Sequence, residues 1–181
     1  MNTKYRAPRA DRGFTLLELI VSLTVFTLAA GGIVGSLIRV SNVNRQNREL
    51  FEAAQVANDI LETLRRFPVG DVVVLCNGDP ADDPPGLVGP GPTFAVPGLT
   101  PQVGDPDGFV GEILFPLQGG ILREDLVDAR LGMPRDLNLD LVVDGDDRAA
   151  DYRLLPVRIR VQWTGVSGDQ QYEVVSLLTE M

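Results

Sequence analysis

Histidine is absent from this chain. With it goes the side chain that most often titrates near neutral pH, and with it any histidine-held zinc and any Ser-His-Asp or Cys-His nucleophile. The one lysine, Lys4, stands near the start, and no Gly-rich phosphate loop with a following lysine occurs. The one cysteine, Cys76, excludes an intramolecular disulfide. Following Val72-Val73-Val74-Leu75, its thiol reads as a buried small apolar group, with an intersubunit bridge as the alternative. Carboxylates are plentiful, so hydrolysis by a carboxylate pair stays chemically open. Their clustering in turn-rich stretches reads instead as solvated surface, and the expectation is a protein that is not an enzyme.

Basic charge is also scarce outside the first residues. The chain of 181 residues has a formal net charge of −9. Residues 1–13 hold Lys4, Arg6, Arg9, Arg12 and the single acid Asp11, a local +3, so the remainder carries −12. Nucleic-acid affinity rests on Lys and Arg contacts with phosphates, so bulk charge argues against such a partner.

What the chain does have is one long apolar run, Phe14 to Ile38, with Glu18 as its only charge. A bilayer core of about 30 Å takes roughly 20 apolar residues as a helix. An ionisable group inside such a span costs a few kcal/mol, about 3 on the lenient scale, and asks for a function and a partner. A secretory signal would place a shorter apolar stretch before a small-residue cleavage site. Here the glycine of Arg12-Gly13 precedes the run, so cleavage there leaves the helix on the mature protein. The basic residues before the span put that end in the cytoplasm. Arg39, Arg45 and Arg48 follow the span, and Arg39 can snorkel to the far interface.

The order Gly13-Phe14-Thr15-Leu16-Leu17-Glu18 closely resembles the class III leader of type IV pilins and type II secretion pseudopilins. The resemblance implies cleavage after Gly13 by a prepilin peptidase, N-methylation of Phe14, and a meeting of Glu18 with the amino terminus of a neighbouring subunit. The physics of that last point stands by itself. Opposite charges in a low dielectric attract strongly, and each alone is heavily penalised, so Glu18 would set register between subunits without doing chemistry. The resemblance further implies storage as a single-pass inner-membrane protein, then assembly into a pilus or pseudopilus. Its partners would be other pilins or pseudopilins and an inner-membrane assembly platform. The rival reading is a membrane-anchored extracytoplasmic ligand-binding module or enzyme that enters no filament.

The helix is expected to outrun the membrane. No proline or glycine interrupts Val40 to Phe67, and Leu50, Ala54, Ala57, Leu61 and Leu64 form one apolar stripe. Pro68 ends it. Gly31 and Gly35 make a G-x-x-x-G pair, which permits close helix approach; local weakness of the helix is the other use of these glycines. Residues 68–108 are dense in Pro, Gly and Asp and read as a long irregular loop, with Val72–Leu75 and Thr93–Val96 as short strands. Further strands are expected at Phe109–Leu117, Leu137–Val143, Tyr152–Trp163 and Tyr172–Leu178, with a helix at Arg123–Arg130 and a turn at Gly165–Gly168. The resulting fold is α+β: a long N-terminal helix packed on a C-terminal antiparallel sheet, as the family resemblance also implies. The segments are a leader (1–13), a transmembrane and filament-core helix (14–38) and an extracytoplasmic head (39–181). The head divides into an amphipathic helix (39–67), a loop region (68–108) and a sheet region (109–181). Its last hairpin, Val161-Gln162-Trp163 to Tyr172-Glu173-Val174, resembles that of minor pilins and minor pseudopilins.

One constellation has metal-ligand spacing. Asp136, Asn138, Asp140, Asp144 and Asp147, with the Val142 carbonyl, fall at the oxygen-ligand places of a calcium loop. Leu141 stands where such a loop needs glycine, and Asp147 where it uses glutamate. The two readings are a structural calcium and a polar-faced strand running into an Asp144-Gly145 turn.

Overall fold

The computed structural model describes residues 15–180. Helix α1 runs unbroken over Leu16–Leu64. It passes through Gly31, Gly32 and Gly35 without a break, and a Cβ at any of them would meet open space. The chain divides into two compact units, one reaching to Val43 and one from Asn44 onward.

In the first unit α1 is long and apolar enough to cross a membrane, and that stretch has no buried residue. The hydroxyls of Thr24 and Thr27 turn back onto the carbonyl oxygens of Ile20 and Leu23. Each polar group is thereby satisfied inside the helix, as a lipid environment requires.

In the second unit the helix packs on a four-stranded antiparallel sheet of order β1-β2-β5-β6. The strands are β1 (Thr93–Phe94), β2 (Gly111–Leu114), β5 (Leu154–Gly165) and β6 (Gly168–Thr179). A small ribbon of β3 (Leu117–Gln118) and β4 (Ile121–Leu122) stands apart from it. The long β5–β6 hairpin closes through Val166-Ser167, with Leu155 opposite Leu178 and Ile159 opposite Val174. Strict alternation puts Leu155, Val157, Ile159, Val161 and Trp163 on the covered face. Ala53, Ala57, Leu61 and Leu64 complete the same core from α1. Trp163 is buried, and its indole N–H donates to Glu49 Oε2 at 3.3 Å.

The structure corrects the stripe expected on α1. Ala53 enters the core in place of Ala54, and Leu50 stays 45% exposed. At about 100° per residue Ala53 and Ala54 lie almost equally far, on opposite sides, from the row of Ala57, Leu61 and Leu64, so the sequence alone does not choose between them.

Four other local expectations fail for identifiable reasons. Val72–Leu75 is a short helix, α2, and not a strand. A 3-10 turn over Val69–Asp71 feeds it, and burial of Val72 and Leu75 outweighs the strand preference of valine. Phe109–Leu117 is not one strand: only Gly111–Leu114 pairs with β5, and Pro116 separates it from β3. Gly119 and Gly120, at φ of 64° and 84°, then form the two-residue turn into β4. Gly111 is required for a different reason, because a Cβ there would lie 2.3 Å from the ring of Phe94. Arg123–Arg130 holds no helix and Leu137–Val143 no strand. Residues 123–153 instead form one irregular excursion between β4 and β5, held by side-chain bonds to the main chain.

Candidate functional site

Two regions carry the candidate residues. At the start of α1, Thr15 Oγ1 accepts the backbone N–H of Glu18 at 3.3 Å, and Leu19 N–H donates to Thr15 O at 3.1 Å. Thr15 is thus the cap of the helix, and Glu18 lies three residues on, in the first turn. A threonine cap with glutamate at that spacing is a helix-start signature, and a carboxylate there meets the positive end of the helix dipole. The sequence reading missed this second role of Glu18, although Thr15-Leu16-Leu17-Glu18 spells the pattern. Glu18 is exposed and, among the described residues, has no cationic partner. Gly13 and Phe14 lie outside the described residues.

The second region is the excursion 123–153. Glu124 is fully buried, and its carboxylate gathers the main chain around it. Oε1 accepts the N–H groups of Leu137 and Asn138 at 2.7 and 3.2 Å, and Oε2 that of Asp144 at 3.4 Å. Arg148 closes the arrangement, with its side chain 13% exposed. Its guanidinium lies 2.7 Å from Asp144 Oδ2 and 3.6 to 3.7 Å from carboxylate oxygens of Glu124, Asp140 and Asp151. Burial opposes the charge on Arg148, but the surrounding carboxylates together outweigh it and hold its pKa above the ordinary value.

The six residues of the candidate calcium loop do not converge. Asp136 takes the N–H groups of Leu139, Asp140 and Leu141. That capture bends the chain, so Leu139 and Leu141 adopt φ of 66° and 72° where an extended strand was expected. Asp140 accepts from Asn138 Nδ2 and from the Val142 N–H, and both bonds, the first foremost, lower its pKa. Asp144 binds Arg148 and the Asp146 N–H, while Asp147 accepts from Leu122 and Ala149. Among the described residues no three His, Cys, Asp or Glu side chains form a group that could hold a metal ion. The centre of this region is occupied by the chain's own cation, Arg148. Neither Glu124 nor Arg148 stood out in the sequence, where one acid and one arginine among many give no periodic signal.

Cys76 is free and buried, and burial, then the nearby Asp83 charge, pushes its thiol pKa up to about 12. Buried Tyr152 donates its hydroxyl to the carbonyl of Val69, and burial raises its pKa to about 12. Neither group borders a cluster fit for acid–base work.

Comparison with protein families matches residues 8–34 to the prokaryotic N-terminal methylation motif. That motif is the class III leader typical of type IV pilins and pseudopilins, and here it leads into an apolar, membrane-anchoring helix. No curated protein and no solved structure matches the chain.

Proposed function

We propose that this chain is a minor subunit of a type IV pilus or a type II secretion pseudopilus. A prepilin peptidase cuts it after Gly13 and methylates Phe14. Until assembly it rests in the inner membrane, amino terminus in the cytoplasm and head outside. It then joins its neighbours through the apolar half of α1, with an inner-membrane platform driving assembly. The supporting observation is the methylation motif at residues 8–34, which runs into an apolar helix that nothing among the described residues covers. In filament assembly that helix exchanges lipid for the same helix of other subunits. Glu18, which has no cationic partner among the described residues, then meets the amino terminus of the next subunit.

A tethered enzyme or ligand-binding module is the weaker reading, because the motif at residues 8–34 is typical of type IV pilins and pseudopilins and the chain holds no histidine to serve as a base. The assembly role is tested with Glu18→Val. The apolar residue is cheaper in lipid, so membrane levels and cleavage stay normal while the amount in sheared filaments falls. Normal incorporation of the variant removes the pairing role.

A further inference from the structure

Strand β6 is the outer strand of the sheet, and its free side is undefended. It pairs with β5 without a bulge from Gly168 to Thr179. Gln162 and Thr164 of β5 donate their N–H groups to Val110 and Thr100, away from β6. Their partners across the hairpin, Gln171 and Asp169, therefore turn their own main-chain groups away from β5. By alternation Glu173, Val175, Leu177 and Thr179 do the same. Among the described residues no backbone group pairs with these positions. Exposed edges are ordinarily blunted by lysine, proline, a bulge or a covering element, and β6 contains neither lysine nor proline.

Two grooves, the first mainly apolar and the second of mixed polarity, flank the same end of this strand and share Leu177. One, of about 480 Å³, lies between β6 and the end of α1 and holds Phe67, Val69, Arg65 and Arg66. The other, of about 290 Å³, lies on the opposite sheet face between Pro156, Val175 and the turn at residues 129–135, with Arg130 and Arg135. Arg65 is paired with Glu62 and Arg130 with Glu173, while Arg66 and Arg135 form no ion pair among the described residues. Glu180 is the one acid lining the first groove.

We propose that the Val175–Thr179 edge of β6 docks an extended, acidic strand from another protein. Only an extended chain offers main-chain donors and acceptors in the alternation that this edge presents. Apolar side chains of such a strand would enter the groove on each sheet face in turn, and its carboxylates would meet Arg66 and Arg135. A second copy paired through its own β6 is disfavoured, because the unpaired arginines of both copies would face one another. The site goes beyond the filament role and depends on none of its steps.

The probe is a short synthetic peptide that repeats Val-Val-Asp-Asp, so that each sheet face meets both valine and aspartate, added to the full chain in detergent micelles. Binding slows hydrogen exchange at the amides of Val175, Leu177 and Thr179, and the matching valine–lysine peptide binds about tenfold or more weakly. Val175→Pro removes one outward donor, a change that edge strands tolerate, and weakens binding by a similar factor with the melting temperature kept. The double variant Arg66→Glu with Arg135→Glu leaves the strand untouched and reverses the preference between the two peptides. Unchanged exchange at saturating valine–aspartate peptide overturns the proposal. So does equal binding of the two peptides, or a disulfide-linked dimer formed by Val175→Cys, which would make the occupant a second copy.

Discussion

Helix α1 contains two regions of equal regularity and opposite surroundings. Up to Val43 its large apolar side chains are exposed on every side, with Leu16, Phe26 and Leu37 all above 60%. From Asn44 a narrow row of Ala53, Ala57, Leu61 and Leu64 is buried, and the rest of the surface is mostly charged or polar, with Leu50 and Phe51 exposed among it. The same contrast holds for two carboxylates. Glu124 is surrounded by donors of its own chain, whereas the Glu18 side chain has no ion-pair partner among the described residues. Among those residues one region buries its apolar side chains within the chain, and the other leaves them uncovered.

The sharpest break of this comparison is a charge in the buried row. Truncating a packed leucine costs about 2 to 5 kcal/mol, and an unpaired buried carboxylate adds to that. Leu61→Asp should abolish the cooperative thermal transition of the full chain in detergent. Leu50→Asp, on the same helix but half exposed, should change stability by about 1 kcal/mol or less, near the range of surface substitutions. Similar loss from both would mean that the helix face is misplaced.

Next in size is the pair of carboxylates. Glu124→Leu strips acceptors from the N–H groups of Leu137, Asn138 and Asp144, and a bond to a charged group contributes about 1.5 to 3 kcal/mol. Its melting temperature should drop by several degrees. Glu18→Val should leave it unchanged.

Alkaline pH gives a smaller and directional effect. Cys76 and Tyr152 have ordinary pKa values of 9.0 and 10.0 and folded values of about 12. The unfolded chain loses these protons first, so the contribution is complete below pH 9 and disappears as pH rises from about 9 to about 12. Melting temperature should fall over that window. The buried thiol should resist alkylation at neutral pH until the head unfolds. Calcium has the smallest expected effect: with Arg148 among the carboxylates, adding the ion or a chelator should leave the melting temperature in place. A rise that Asp140→Ala removes would restore the metal reading.

Where a buried face imposes the period, the sequence sufficed. The apolar run was legible from its length, and the amphipathic continuation and the β5–β6 hairpin from the pattern that a buried face imposes on each. The stripe was displaced at Ala54, since Ala53 and Ala54 flank the row of Ala57, Leu61 and Leu64 almost equally at about 100° per residue, and Leu50 is exposed although it faces the same way as Ala57. Residues 123–153 were misread more deeply. Leu137, Leu139, Leu141 and Val143 alternate with polar residues like a strand, but Asp136 competes successfully for the backbone N–H groups. The outcome depends on Glu124 and Arg148 being buried beside the segment, which is a fact of tertiary structure. Leu141 ends 93% exposed in consequence. In the candidate assembly segment Glu18 was found by its isolation in an apolar run, and its helix-start role was overlooked for the same reason.

The central claim is that the apolar half of α1 begins a mature filament subunit. Mass spectrometry of the amino-terminal peptide, from the protein recovered in sheared filaments, tests it most directly. The account predicts a chain starting at Phe14, carrying a methyl group on its amino nitrogen, with no peptide from residues 1–13. Recovery of intact Met1, or of a terminus downstream of Ile38, would contradict it.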